Sequence, residues 1–172
     1  MEELRGKGVD TIVYYYVNCI GHKGWFHPPD SSCEPHQIKY LFWVENHEYL
    51  MQQFDECTDH KKAKTTFPFT AFIKRSYNKM RFASMLYPRY YTIIKRKKVY
   101  SEVVRDHSCH HMFEIYNGKK KLSEDIDEFA LDTKYVEDKY YNLNYNRNQK
   151  SILNKLKIAT ETAIAKYNSS NL

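Results

Sequence analysis

The stretch CIGHKGWFHPPDSSCEPH, residues 19–36, begins Cys-x-x-His and ends Cys-x-x-His, and a metal ion held there would dictate the local fold. The pattern recurs. Cys57 is followed three residues later by His60, and Cys109 lies between His107 and the pair His110–His111. All four cysteines therefore have a histidine within three positions. Two ligands separated by two residues can reach one tetrahedral ion from a tight turn, and thiolate and imidazole both suit zinc. Two four-ligand sets follow as expectations: Cys57, His60, His107 and Cys109, and Cys19, His22, Cys33 and His36. His27, His110 and His111 are substitutes in either set, while His47 falls in a predicted helix and is set aside. Zinc is the expected cofactor. The plainer alternative stays open: Cys19 as a core residue of a strand and the loop histidines as surface residues.

Charge is segregated. Between His60 and Lys98 lie 12 of the 27 Lys and Arg and no Asp or Glu, leaving 15 basic residues elsewhere against all 21 acidic ones. A basic centre between mildly acidic arms points to a polyanionic partner more strongly than the net charge of +6 does. No apolar run is long enough for a transmembrane helix, so no membrane partner is expected. The opening MEELRGKGVD has no apolar stretch of the signal-peptide kind. The expected location is nuclear or cytoplasmic, where thiols stay reduced.

The length of 172 residues suits an α+β domain at 1–122, with basic central strands at 60–98, and a helical C-terminal segment at 123–172 that packs on it. TIVYYYVNCI (11–20) and IKYLFWV (38–44) read as strands, and ENHEYLMQQFDEC (45–57) as a helix before the main sheet. TTFPFTAFIKR (65–75), KMRFASML (79–86) and RYYTIIKRKKVYSEVV (89–104) read as strands of an antiparallel meander. FEIYNGKKKL (113–122) reads as a strand ending in an Asn-Gly turn. Ser123 is a candidate N-cap for a helix over EDIDEFAL, and KYYNLNYNRN reads as a connection. QKSILNKLKIATETAIAKY (149–167) is the clearest amphipathic helix, with Ile152, Leu156, Ala159, Ala163 and Tyr167 on one stripe. The fold class is α+β: a central antiparallel sheet of short strands, one helix before it, an amphipathic helix at the C-terminal end, and zinc as its staple.

The segment from about 54 to 111 resembles zinc-bound DNA-binding domains of the WRKY/FLYWCH type, a group that includes transposase N-terminal fingers. The similarity rests on Cys57 and His60 upstream, the strands FPFTAFIKR and YYTIIKRKK, and the closing pair His107 and Cys109. The upstream pair is Cys/His rather than Cys/Cys, the 46-residue spacing is long, and no WRKY heptad is present. What the resemblance implies is DNA binding through strand residues, here Lys74, Arg75, Lys79 and Arg81.

The leading expectation is a zinc-stabilised nucleic-acid-binding module. Lys74, Arg75, Lys79, Arg81, Lys95, Arg96, Lys97 and Lys98 would contact DNA or RNA phosphates. Phe72, Tyr77, Phe82, Tyr87, Tyr90 and Tyr91, interleaved with the charges, would suit base stacking if they are not core. The alternative is a non-enzymatic adaptor, viral or host-interacting, whose metal only folds the chain. SEDIDEFALD and the C-terminal helix would then dock a protein partner. A third reading is an enzyme built on Asp106, His107, Cys109, His110 and His111 of RDHSCHH (105–111), either a metal-dependent nuclease or a Cys/His nucleophile pair. Against it, the chain has no nucleotide-binding loop, nucleophile elbow or HExxH.

Overall fold

The computed structural model describes residues 1–19, 37–55, 57, 60–65 and 68–170. Six strands form the main sheet: β1 Thr11–Cys19, β2 Lys39–Glu45, β3 Glu48–Phe54, β4 Ala63–Lys64, β7 Cys109–Asn117 and β8 Lys120–Asp127. Their spatial order is β4-β3-β2-β1-β7-β8, and every pairing is antiparallel. Two small hairpins stand outside it: β5 Arg89–Ile94 with β6 Lys97–Glu102, and β9 Tyr135–Val136 with β10 Tyr140–Tyr141. The helices are α1 Glu2–Gly6, α2 Phe69–Met80, α3 Glu128–Asp132, α4 Tyr145–Lys150 and α5 Ile152–Ser170. The mixed α+β class, the antiparallel sheet and the C-terminal helix all follow the sequence reading.

The central strands bury both faces. On one face Val13, Tyr15, Phe42, Met51, Phe113 and Ile115 meet α2 and α5. On the other, Ile12, Leu41, Trp43 and Leu50 pack with Leu4 and Val9. The expected stripe of α5 is used inside the molecule: Leu156, Ala159 and Ala163 are buried and Ile152 and Tyr167 lie at their margin, while Leu153, buried, and Ile164, half-buried, widen it. That leaves its apolar side committed to the core rather than to a partner.

Four expected elements are corrected. The helix at 45–57 is β3, joined to β2 through Asn46 and His47 at φ 51° and 65°. Leu50 and Met51 point to opposite buried faces, so the run lost its alternation and mimicked helical spacing. The strand at 65–75 is replaced by α2, whose buried residues Phe69, Ile73, Ser76, Tyr77 and Met80 recur at helical intervals. This also removes the first strand named for the DNA-binding resemblance. KMRFASML adds no strand: its first residues end α2, and residues 83–88 have no regular structure. Apart from the short edge strand β4, the described part of the basic block is therefore a helix and a separate hairpin rather than the central sheet. The helix expected over EDIDEFAL begins only at Glu128, with Asp127 as its N-cap accepting from the Phe129 N–H. The boundary at 122/123 falls inside β8.

Candidate nucleic-acid interface

Lys95, Arg96, Lys97 and Lys98 converge at the tip of the β5–β6 hairpin. Ile94 pairs with Lys97, so Lys95 and Arg96 alone make the turn. Both have left-handed backbones, φ 49° and 65°. This is the geometry of the two-residue turn that matches strand twist, for which Asn-Gly is the favoured sequence. An L-residue with a Cβ costs roughly 1 kcal/mol there relative to ordinary backbone. Two long cations stand in the least favourable place on the hairpin, and all four tip residues are exposed.

The ribbon is anchored at its base by asparagines. The Arg89 N–H donates to Asn142 Oδ1 at 3.1 Å, and the Leu143 N–H to the Arg89 carbonyl at 2.7 Å. Asn144 Nδ2 donates to the Tyr87 carbonyl at 2.9 Å. Asn148, fully buried, accepts from the Leu86 N–H and donates to the carbonyls of Leu86 and Ala130. The Asn-rich stretch that read as a connection is the clamp that sets the hairpin. Periodicity could not reveal it, because the work is done by side-chain amides on backbone groups.

The six aromatic residues divide: Phe72, Tyr77 and Tyr90 are packed, and Phe82, Tyr87 and Tyr91 are exposed. Tyr90 stacks on Tyr140 with ring centroids 4.6 Å apart. Lys98 Nζ sits 4.4 Å from the Tyr91 ring centre, and the Arg89 guanidinium 4.7 Å from that of Tyr100. Tyr77 is core and Phe72 packs against it. Phe82 is 81% exposed, with the Arg81 guanidinium 5.5 Å away. Ile93, Ile94 and Val99 are also exposed along the ribbon.

Lys74, Arg75 and Lys79 lie on the exposed side of α2, with Arg81 just past its end. None of these four, and none of the four at the hairpin tip, makes an ion pair among the described residues. Lys62 and Lys64 of the same basic block do, with Glu45 and Glu48.

The expected zinc ligands are not brought together. Cys19 and Cys109 are joined in a disulfide, as direct partners across β1 and β7, and Cys57 is also disulfide-bonded. A disulfide sulfur is not a thiolate, so none of these three can ligate zinc as expected. His22, His27, Cys33 and His36 lie outside the described residues. His60 is hydrogen-bonded to Asp55 and Gln53, and His110 to Asp125. Among the described residues no group of three or more His, Cys, Asp or Glu is placed to hold a metal.

His111 is a satisfied core residue. Its Nδ1 accepts from the Tyr15 hydroxyl at 2.7 Å, and its Nε2–H donates to Glu128 Oε1 at 2.7 Å. Burial holds its pKa below the usual value, with Glu128 pulling the other way, and burial also pushes the Tyr15 phenol up. Glu124, the partner of Phe113 across β7 and β8, has its carboxyl pushed up to about 7 by burial alone. A raised carboxyl favours the protonated native state, so this contribution is full below about pH 4.5 and is lost as pH rises through about 7. Glu124→Gln is expected to stabilise the protein at pH 8 and to change nothing at pH 4. Urea melts at both pH values check this, and an equal gain at both would disprove the burial account.

Compared with family models, with curated proteins and with solved structures, the chain matches none.

Proposed function

We propose that the chain binds nucleic acid through the β5–β6 hairpin, with the phosphate backbone of a duplex as the principal contact. The observation that carries this is the tip: four consecutive cations, none in an ion pair among the described residues, at a turn whose backbone would favour Asn-Gly. A two-stranded ribbon has the width of a major groove. Tyr90 is taken up by Tyr140, while Tyr91 and Tyr100 carry neighbouring cations yet stay 37% and 50% exposed, so stacking on unpaired bases is the competing mode that a single-strand titration reads. The order along the ribbon matters too. The cations are outermost and Ile93, Ile94 and Val99 lie behind them, the reverse of what a membrane-inserting tip requires.

The exposed aliphatic residues favour a second reading, a protein partner docked along the ribbon. Salt separates the two. Four phosphate contacts predict that log K falls against log salt with a slope of about −3.6 for duplex DNA. Fluorescence anisotropy with a labelled duplex and a labelled single strand, from 50 to 300 mM salt, measures it. A slope near zero, or no binding of either at 50 mM, would remove the nucleic-acid reading.

A further inference from the structure

We propose that Ser108, His110 and Asp125 form a hydrolytic centre for small acyl esters, on the sheet face opposite α2 and α5. The proposal uses none of the hairpin residues and stands whether or not the chain binds nucleic acid. His110 Nδ1 lies 2.8 Å from Asp125 Oδ1, and its Nε2 lies 3.2 Å from the Ser108 hydroxyl. A carboxylate can only accept, so Nδ1 carries the proton and donates to Asp125. Nε2 is then the free base, accepting from the Ser108 O–H. Each atom holds the position it has in a Ser-His-Asp relay.

The fold explains the convergence. Alternation along β7 turns His111 to the core and His110 to the other face, which is why these neighbours have unrelated partners. Asp125 on β8 pairs with Met112, two residues beyond His110 and on the same face. Ser108 immediately precedes Cys109, whose bond to Cys19 fixes this end of β7. Asn18 is the direct partner of His110 on β1, and its carboxamide makes no hydrogen bond among the described residues. Asn18 would supply the oxyanion donor from the strand beside His110.

The chemistry balances with water alone. The Ser108 oxygen forms a bond to the ester carbonyl carbon while its proton passes to His110 Nε2, and the carbonyl electrons move onto oxygen. Collapse breaks the carbon–alkoxy bond, and Nε2 returns the proton to the departing alkoxide. Water then repeats the sequence on the acyl-serine, releasing a carboxylic acid and restoring Ser108. Asp125 is half exposed, so solvent weakens its hold on the imidazolium and its removal is expected to cost only about tenfold.

The test treats the folded protein with a fluorophosphonate probe and maps the label by peptide mass spectrometry. Hydrolysis of 4-nitrophenyl butyrate is followed in parallel. The expected result is one label per chain, on Ser108, with turnover reduced at least about 100-fold in Ser108→Ala and His110→Gln and about tenfold in Asp125→Asn. Two results overturn the proposal: no label on Ser108 of the wild-type protein, or turnover that survives Ser108→Ala, which marks simple imidazole catalysis. The wild-type labelling decides even if a variant fails to fold.

Discussion

Replacing Lys95→Asn and Arg96→Gly together is expected to make the protein more stable and a weaker binder of duplex DNA. The gain is about 1–2 kcal/mol, because both positions have left-handed backbones where Asn-Gly removes most of the steric cost. The loss is roughly 10- to 100-fold at 0.1 M salt, with the salt slope shallower by about two, because two of the four proposed phosphate contacts would disappear. Opposite signs are the point of the experiment. A residue retained only for structure would give stability and binding that move together, whereas cations kept on an unfavourable turn serve something other than the fold. Thermal melts and anisotropy titrations on the same preparation read both quantities. Unchanged affinity in a stabilised variant would mean that the hairpin tip is not the contact. Charge reversal at Lys97→Glu and Lys98→Glu, where the backbone is ordinary strand, gives the complementary result: binding lost with stability nearly unchanged.

How far the fold and this candidate interface could be read from the sequence depends on which physics was local. The concentration of cations between residues 60 and 98 is a property of composition and needed no fold. The turn at Lys95–Arg96 did not announce itself, since nothing in a Lys-Arg dipeptide favours positive φ; the closing strands impose it. α5 was legible because one face is core and the other solvent, which is what helical periodicity detects. β3 was not, because its two buried residues, Leu50 and Met51, are adjacent and face opposite ways, and Gln52 and Gln53 follow them on those same two faces, so neither face reads as apolar. In the sequence around α2, the alternation of Phe67, Phe69, Ala71 and Ile73 competed with the spacing of Phe69, Ile73, Tyr77 and Met80. The longer pattern, with Pro68 at its start, was the one the core used. The Cys/His spacing was a real regularity with a different outcome. Spacing along the chain favours ligands close in sequence, while the sheet register placed Cys19 directly opposite Cys109, 90 residues away.

That bond supplies the other large expected effect. Cys19→Ala with Cys109→Ala is expected to destabilise the protein by about 3–5 kcal/mol, since the cross-link closes a loop of 90 residues that an unfolded chain would otherwise leave open. For a chain of this size the melting temperature falls by roughly 8–16 °C. Reductant added to the wild-type protein should bring it to or below the variant's melting temperature, because Cys57 is also disulfide-bonded. Adding reductant to the variant then isolates the contribution of the Cys57 bond. The comparison also bears on where the chain works. Reduced thiols were expected from a nuclear or cytoplasmic location, but disulfides persist in oxidising surroundings and are reduced in the cytosol. A bond that survives a glutathione buffer poised at about −280 mV can hold in either setting, and one that opens there confines the folded chain to an oxidising compartment. Ser108 and His110 flank Cys109, so the same titration has a second readout. If the cross-link holds them in register, opening it should abolish the labelling of Ser108 at the potential where the melting temperature drops.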